Sequence, residues 1–496
     1  MIVQYPALLI TVPLISAFVI TGLGWFSRRI SYPIALASLL FSLYSAIMML
    51  WAVLTSGNIS YRLGGWPPPF GIEYAVDPLN GFVLVLISLV ALLNLITAHK
   101  KVAGQFNGKS HAFYALYVMF VTGLLGITVT GDAFNLYVLM EITALTGYAL
   151  IGMGRQHAAL ASLNYVIMGT IGASLYLLGV GYLYISTGSL NMADLSQIIP
   201  TLEVQQPILF ALILCLVGLF IKMALFPLHN WLPNAYAYAP PAASGMIAPL
   251  TTKVMIYVMI RLVYSVFTPG LVFSQQLIAP LFVWIATLAI VVASILALSQ
   301  RSLFKMLTYI IIAEVGYMVG GFWLGNPDGM TGAILHIAND ALMTLCLFLA
   351  AGNFLHVMKS DRFQDLQGLV RKMPISMAAF IVGAISIIGV PPTCGFFSKW
   401  YLIKGGIAAG HYEFVIALLF SSLINVILFF KIIEIGFFEP MPEEGEAHHH
   451  PPEMAVREAP FSMVAPLVIS SGLLIAAGLY TREIVIHIIQ RILPIY

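Results

Sequence analysis

The sequence predicts an all-α polytopic membrane protein with about fourteen transmembrane helices. Three observations carry that reading. Of 496 residues, 60% are hydrophobic and only 8% charged, whereas soluble domains carry roughly 25% charged residues. The apolar residues form continuous runs of about 20 residues, long enough to cross a bilayer as helices; an outer-membrane barrel would alternate with a period of two. Several of the few charges inside these runs stand near prolines, the mark of broken helices at membrane depth.

The runs are placed at 5–26, 31–54, 79–98, 112–130, 133–153, 160–186, 207–228, 243–267, 277–298, 303–324, 330–357, 375–404, 412–437 and 461–480. The first is too long for a signal h-region and has no small-residue cleavage pattern before Arg28, so it is expected to be retained. Cys215, Cys346 and Cys394 are scattered in apolar context and imply neither a disulfide framework nor a zinc site. The polar stretches leave little room for a catalytic or nucleotide-binding domain. One transmembrane domain, 1–496, is expected, divided into N-terminal helices 1–110, a first repeat 111–270, a second repeat 271–438, a polar loop 439–460 and a C-terminal helix 461–496.

With these spans, the loops after odd-numbered helices hold Arg28, Arg29, Lys100, Lys101, Lys109, Arg155, Arg301, Lys305, Lys359, Arg362, Arg371, Lys372 and Arg457, while those after even-numbered helices hold essentially Arg62. The positive-inside bias makes the odd loops cytoplasmic and sends both termini to the outer side of the cell inner membrane.

Charges inside the spans recur in one order. Glu141, Lys222 and Lys253 lie in spans five, seven and eight; Glu314, Lys399 and Lys431 lie in spans ten, twelve and thirteen. Each pair is five spans apart, and an odd number of spans per unit inverts the second copy. Inverted repeats with broken helices are the common build of ion-coupled transporters, with charged sites near the midplane at the breaks. Chance recurrence among sparse charges is the bland alternative, since no extended identity links the halves. The breaks are visible on their own terms: Pro227, Pro233, Pro240 and Pro241 follow Lys222, and Pro391 and Pro392 precede Lys399. Proline removes a backbone donor and unwinds the helix locally, and backbone freed at that depth is tolerated only against protein or a water-filled cavity.

An ionised side chain at the bilayer centre costs about 2.5–3.5 kcal/mol on insertion scales, so each buried charge needs a partner, a cavity or a task. Glu141 is expected to pair with Lys222; moving that carboxylate or its proton would switch the lysine between charged and neutral, the elementary step of a proton relay. A structural ion pair is the plain alternative. Lys253 has no acid nearby in sequence, and a relay role competes with snorkelling to the interface. His336 and Asp340 are four apart and share a helix face, so the carboxylate is expected to orient the imidazole; a packing histidine is the alternative. Lys399 lies just past the double proline, where a half-helix exposes it to the opposite side. Glu314, Lys431 and Glu434 are weaker candidates, the last two near a helix end and equally suited to the interface. His229, after Pro227, is either a water-accessible relay or a loop residue. The stretch 439–460 is acidic and proline-rich and carries His448, His449 and His450; three adjacent histidines cannot all face one ion, so it reads as a flexible loop and no metal site is expected.

The stretches GLFIKMALFPLHNWLPNAYAYAPPAASGMIAPLTTKVMIYVMIR, RSLFKMLTYIIIAEVGYMVGG, LHIANDALMTLCLFLAAG and PPTCGFFSKWYLIKG resemble the antiporter-like subunits shared by respiratory complex I, Mrp sodium/proton antiporters and membrane-bound hydrogenases, nearest the Mrp D type. The resemblance covers most of the chain and rests on several motifs in fixed order. It implies two inverted five-helix repeats over helices 4–8 and 9–13 and a charged chain along the midplane, with the family's helix-5 glutamate at Glu141 and its lysines of helices 7, 8 and 12 at Lys222, Lys253 and Lys399. The chain departs from the family pattern at Thr344, where many members have a lysine, leaving His336 and Asp340 as the titratable groups there. It departs again at Asn234, Tyr236 and Tyr238, which replace ionisable groups, and at Glu314, where relatives often have glutamine or histidine.

These readings predict a proton-translocating, antiporter-like subunit of a multisubunit cation/proton antiporter. Protons would pass through Lys253, along the midplane and out near Lys399 or His336, with Glu141 and Lys222 gating the loading. The partners expected are other membrane subunits and the lipid bilayer, with protons and, in an antiporter, Na+ as cargo; no nucleic acid, cofactor or bond chemistry is expected. The rivals are a membrane subunit of a redox-driven pump and a standalone secondary transporter of an organic solute. A membrane-embedded enzyme lacks support, because the chain has neither an H-E-x-x-H cluster nor a G-x-S-x-G elbow.

Overall fold

The computed structural model describes residues 4–492 apart from 107, 155 and 439–456. Its helices follow the predicted runs closely. Among the described residues twelve are long and apolar enough to cross a membrane: Tyr5–Phe26, Ser31–Ser56, Pro78–Gln105, Ser110–Val129, Ala133–Gly152, Ala158–Thr187, Pro241–Ser265, Ile278–Leu298, Leu303–Trp323, Pro327–Met358, Tyr412–Phe437 and Phe461–Leu479. The seventh and twelfth spans are built from shorter pieces, Gln206–Lys222 with Leu232–Tyr238 and Pro374–Ile388 with Cys394–Ala408. The two expected breaks are therefore present.

Local chemistry starts these helices where the apolar runs begin. Asp77 caps the third span, its carboxylate accepting from the Leu79 and Asn80 N–H groups at 2.9 and 3.1 Å while the Asn80 side chain accepts from the Asp77 N–H at 2.7 Å, a reciprocal capping box. Asp132, Ser302 and Asn326 cap the fifth, tenth and eleventh spans. Glu458 caps the first half of the twelfth, accepting from the Ile375 and Ser376 N–H groups at 2.7 and 3.0 Å and from Ser376 Oγ at 2.8 Å. A carboxylate there also complements the positive end of the helix dipole.

The two breaks close in the same way. Ala224 and Gly389 adopt left-handed backbone, φ 57° and 93°, and the next N–H groups, of Leu225 and Val390, reach back to the Phe220 and Ile385 carbonyls at 2.9 and 3.1 Å. This is a Schellman closure. A side-chain donor then serves a terminal carbonyl at each break: Trp231 Nε1 donates to Ile221 O at 3.0 Å, and Lys399 Nζ to Ile387 O at 2.6 Å.

The centre of the molecule is formed by the eighth, tenth and eleventh spans. In the eighth, 94% of the apolar window is buried, against 33% in the first, which turns Trp25 and Phe26 outward. The unbroken eleventh span packs against the third, eighth, tenth and fourteenth and both halves of the twelfth. Some features differ from the sequence expectation. A short antiparallel hairpin, Ile59–Arg62 with Glu73–Val76, joins spans two and three. The third helix runs to Gln105, because nothing after residue 98 breaks it, so Lys100 and Lys101 lie on a helix and not in a loop; Lys305 likewise falls inside the tenth helix. Arg155 and His448, His449 and His450 lie outside the described residues.

The fourteenth span presses on the second break: a Cβ at Gly478 would lie 2.0 Å from Pro392 O, whereas one at Gly472 would meet nothing within 4 Å. Gly478→Ala should therefore lower the thermal midpoint of the detergent-solubilised protein, by the equivalent of about 1–3 kcal/mol, and Gly472→Ala should leave it unchanged. Equal midpoints for the two variants would refute the contact.

Candidate functional site

The broken seventh span makes Lys222 the last residue of its half-helix, the end where a cation is favoured by the helix dipole. Its ammonium donates to Glu141 Oε1 at 2.9 Å, with Lys222 6% and Glu141 25% exposed. The expected pair forms. Lys399 stands on the far side of its own break, yet its side chain turns back to Ile387 O and reaches Ser422 Oγ at 3.1 Å. Both lysines therefore serve the C-terminal end of a half-helix, one by chain position and the other by side-chain reach. The Lys399 ammonium also lies 5.0 Å from the centre of the Tyr317 ring, within range of a cation–π attraction.

A second ion pair is almost fully buried. Lys253 Nζ is 2.8 Å from Asp340 Oδ2, the side chains 1% and 0% exposed. Thr344 Oγ1 donates to Asp340 Oδ1 at 2.9 Å and stands 3.5 Å from Lys253 Nζ. One expectation is corrected here: Lys253, which has no acid nearby in sequence, meets one in space from the second repeat, and Asp340 serves that lysine instead of orienting His336. The cause is packing: the eighth and eleventh spans meet so that Lys253 faces Asp340 and Thr344, while His336, one turn away, faces the tenth span.

There His336 Nε2 lies 2.5 Å from Glu314 Oε2 and His336 Nδ1 lies 2.8 Å from Ser398 Oγ, with His336 and Glu314 fully buried. Glu314 thus occupies the place expected of Asp340. Ser398 adjoins Lys399 in the chain, and the Tyr317 ring lies 5.6 Å from that of His336, so Glu314, His336 and Lys399 form one neighbourhood.

The remaining candidates lie apart. His229 is buried against Phe226, ring centroids 5.3 Å apart, and is not exposed to open water. Lys431 and Glu434 are exposed, and Lys431 lines a wide cavity. Among the described residues no hydrogen bond joins Lys222 to Lys253, so their two pairs are separate links. Thr344 as a bridge, Ser398 and Tyr317 were not singled out as relay members from sequence; they carry no charge, and only the position of Ser398 beside Lys399 marks it. Arg261 of the eighth span is engaged elsewhere, 2.5 Å from Asp77, with Nε donating to Tyr257 Oη at 2.9 Å.

Removing one partner of a buried ion pair costs about 3–5 kcal/mol, while replacing both by apolar groups is near neutral. Lys253→Met should therefore lower the thermal midpoint in detergent more than the double change Lys253→Met with Asp340→Leu. A double variant no more stable than the single one would sink the pairing.

Residues 130–425, which include every member of this buried chain, match the family described as NADH:quinone oxidoreductase/Mrp antiporter, TM. The sequence is 40% identical over 499 residues to NADH-quinone oxidoreductase subunit N of Desulforudis audaxviator (strain MP104C), covering 100% of this chain and 99% of that protein. It is 31% identical over 428 residues to the D-type component of the Na(+)/H(+) antiporter of Bacillus subtilis (strain 168), covering 86% of this chain and 85% of the relative. The fold is also similar, with a TM-score of 0.89 at 28% identity, to a chain of the membrane-bound sulfane sulfur reductase, an archaeal respiratory membrane complex, covering 98% of this chain and 97% of that one. With the family matched across more than half its length and relatives aligned almost end to end, the chain belongs to the NADH:quinone oxidoreductase/Mrp antiporter family as an antiporter-like membrane subunit.

Proposed function

We propose that this chain translocates protons within a multisubunit membrane complex, along Glu141, Lys222, Lys253, Asp340, His336, Glu314 and Lys399. The observation that carries the proposal is a row of buried titratable groups running through both repeats, in which Lys222, Lys253 and His336 each stand against a carboxylate. In a water-poor interior the charge of one group acts strongly on the next. When a proton shifts from an ammonium to its carboxylate, both charges vanish and the neighbouring pair experiences a different field. Lys253 with Asp340 forms the link between the repeats, the eleventh span carries the step on to His336, and Lys399 beside its break releases the proton. The basic loops support a cytoplasmic intake side with both termini outside.

Two settings fit a subunit of this kind. The higher identity to the oxidoreductase relative, over the whole chain, supports a redox-driven complex; the motifs and the Bacillus antiporter relative support a cation/proton antiporter. Proton flux in vesicles of the purified complex separates them: flux driven by an electron donor and acceptor without Na+ belongs to the first, and flux driven by a Na+ gradient alone belongs to the second.

Loss of a positioned proton-transfer group costs roughly a hundredfold in rate, so Glu141→Ala and Lys222→Ala should each reduce flux by about that factor with assembly intact, and Glu141→Asp should retain part of it. Near-parental flux in both alanine variants would remove the relay. Lys399→Ala should be far more damaging than Lys431→Ala, since Lys399 alone of the two touches the buried chain; equal effects would show that burial at the break is irrelevant to transport.

A further inference from the structure

A cavity of about 1530 Å³ opens where the third and eleventh spans end and the eighth and tenth begin. Its wall is basic, with Lys100, Arg301, Lys305, Lys359 and Arg362 outweighing Asp361. Lys100, Arg301, Lys359 and Arg362 are exposed and Lys305 is half-buried. Lys101, on the same wall, is different: it is only 8% exposed, and its terminal nitrogen rests so close to Gly352 that a Cβ there would lie 2.4 Å from Nζ. Among the described residues it has neither a hydrogen bond nor an ion pair. A lysine withdrawn from water without a partner is costly and marks a task.

Gly352 belongs to the eleventh span, which connects the cavity to the buried chain. Asp340, Thr344, Phe348, Gly352 and His356 succeed one another in steps of four, along the inclined ridge that such steps trace on a helix. About 12 Å of helix separates Gly352 from Thr344. At the level between them Phe348 meets Phe304, ring centroids 5.7 Å apart, and a void of about 10 Å³ bounded by Leu307, Leu347 and Phe348 reaches Thr344. That volume is at the lower limit for one water and its walls are nearly all apolar. The relay is therefore close to the cavity and closed off from it by a thin apolar layer.

We propose that Lys101 is the residue that loads the relay from this cavity. Its neutral amine takes a proton from cavity water to become an ammonium; when the Phe304–Phe348 contact parts, the ammonium gives that proton through admitted water to the Lys253–Asp340 pair and returns to the amine. The proposal rests on the reading of the chain as a proton translocator. His356, part-exposed one turn beyond Gly352, is the other titratable group on the eleventh span at this wall, and Lys100 is the neighbouring one on the third.

The test is proton flux in vesicles of the whole complex, with assembly checked for each variant. Lys101→Ala should lower flux by about a hundredfold, the usual loss for a proton-transfer group. Lys101→Arg should lower it just as far, because a guanidinium keeps the charge but does not release a proton in this pH range. Parental flux in Lys101→Arg would overturn the proposal by showing that only the charge matters, and it decides the matter alone if the alanine variant does not assemble. His356→Ala should leave flux unchanged; loss there with parental flux in Lys101→Ala would move the loading role to the histidine. Phe348→Ala, which thins the apolar layer, should restore part of the flux in the Lys101→Ala background, and an absence of any rescue would count against the route. Lys253→Ala separates the two levels: if it retains full flux, the relay itself fails, whereas if it abolishes flux while the Lys101 variants keep it, only the loading residue is wrong.

Discussion

One ion pair, Lys253 with Asp340, fixes how the two halves of this protein meet. Either ion alone in the interior would cost several kcal/mol in lost hydration, and the attraction between them repays this only with good geometry and further hydrogen bonds. Thr344 provides such a bond to the carboxylate. The eighth and eleventh spans therefore have one favourable register, since sliding either by a turn would separate the charges. That register in turn determines where the rest of the eleventh span points. His336 is delivered to Glu314 and Ser398, and Gly352 is delivered to Lys101.

The parts of this arrangement that were legible in the sequence are those with a local cause. Apolar runs of bilayer length produce spans wherever they occur, and prolines near 227 and 391 interrupt helices whatever surrounds them. Glu141 with Lys222 was legible because both are charges out of place in one repeat, with few alternatives for either. The partner of Lys253 was not, because it depends on the rotational phase of two helices that are buried nearly all round, and such helices carry no polar face from which the phase can be read. The same blindness assigned Asp340 to His336: four residues of spacing gives a shared face, but which neighbour that face meets is decided by tertiary packing. Lys101 was hidden differently, since a helix that simply continues past an apolar run gives no signal for where its last turns are buried.

The two breaks show one physical problem met with different residues. A half-helix that stops inside the protein leaves carbonyls that water cannot reach. At the first break Trp231 supplies a neutral donor and Lys222 turns to Glu141; at the second, the lysine itself is the donor. The first break is thus sealed independently of its lysine, whereas the second is sealed by it.

That difference gives the half-helix Pro374–Ile388 an unusual electrical situation. A carboxylate, Glu458, closes its N-terminal end and an ammonium, Lys399, closes its C-terminal end, so the peptide dipoles between them are compensated at both poles. Withdrawing the proton from Lys399 leaves one pole bare, a change of about 0.3–1 kcal/mol at an exposed terminus and up to about 2 where water is partly excluded. If Lys399 does give up its proton during transport, occupancy of one amine would bear on how firmly this segment is held, and the last span, packed against Pro392 at Gly478, would be the first neighbour to register the change.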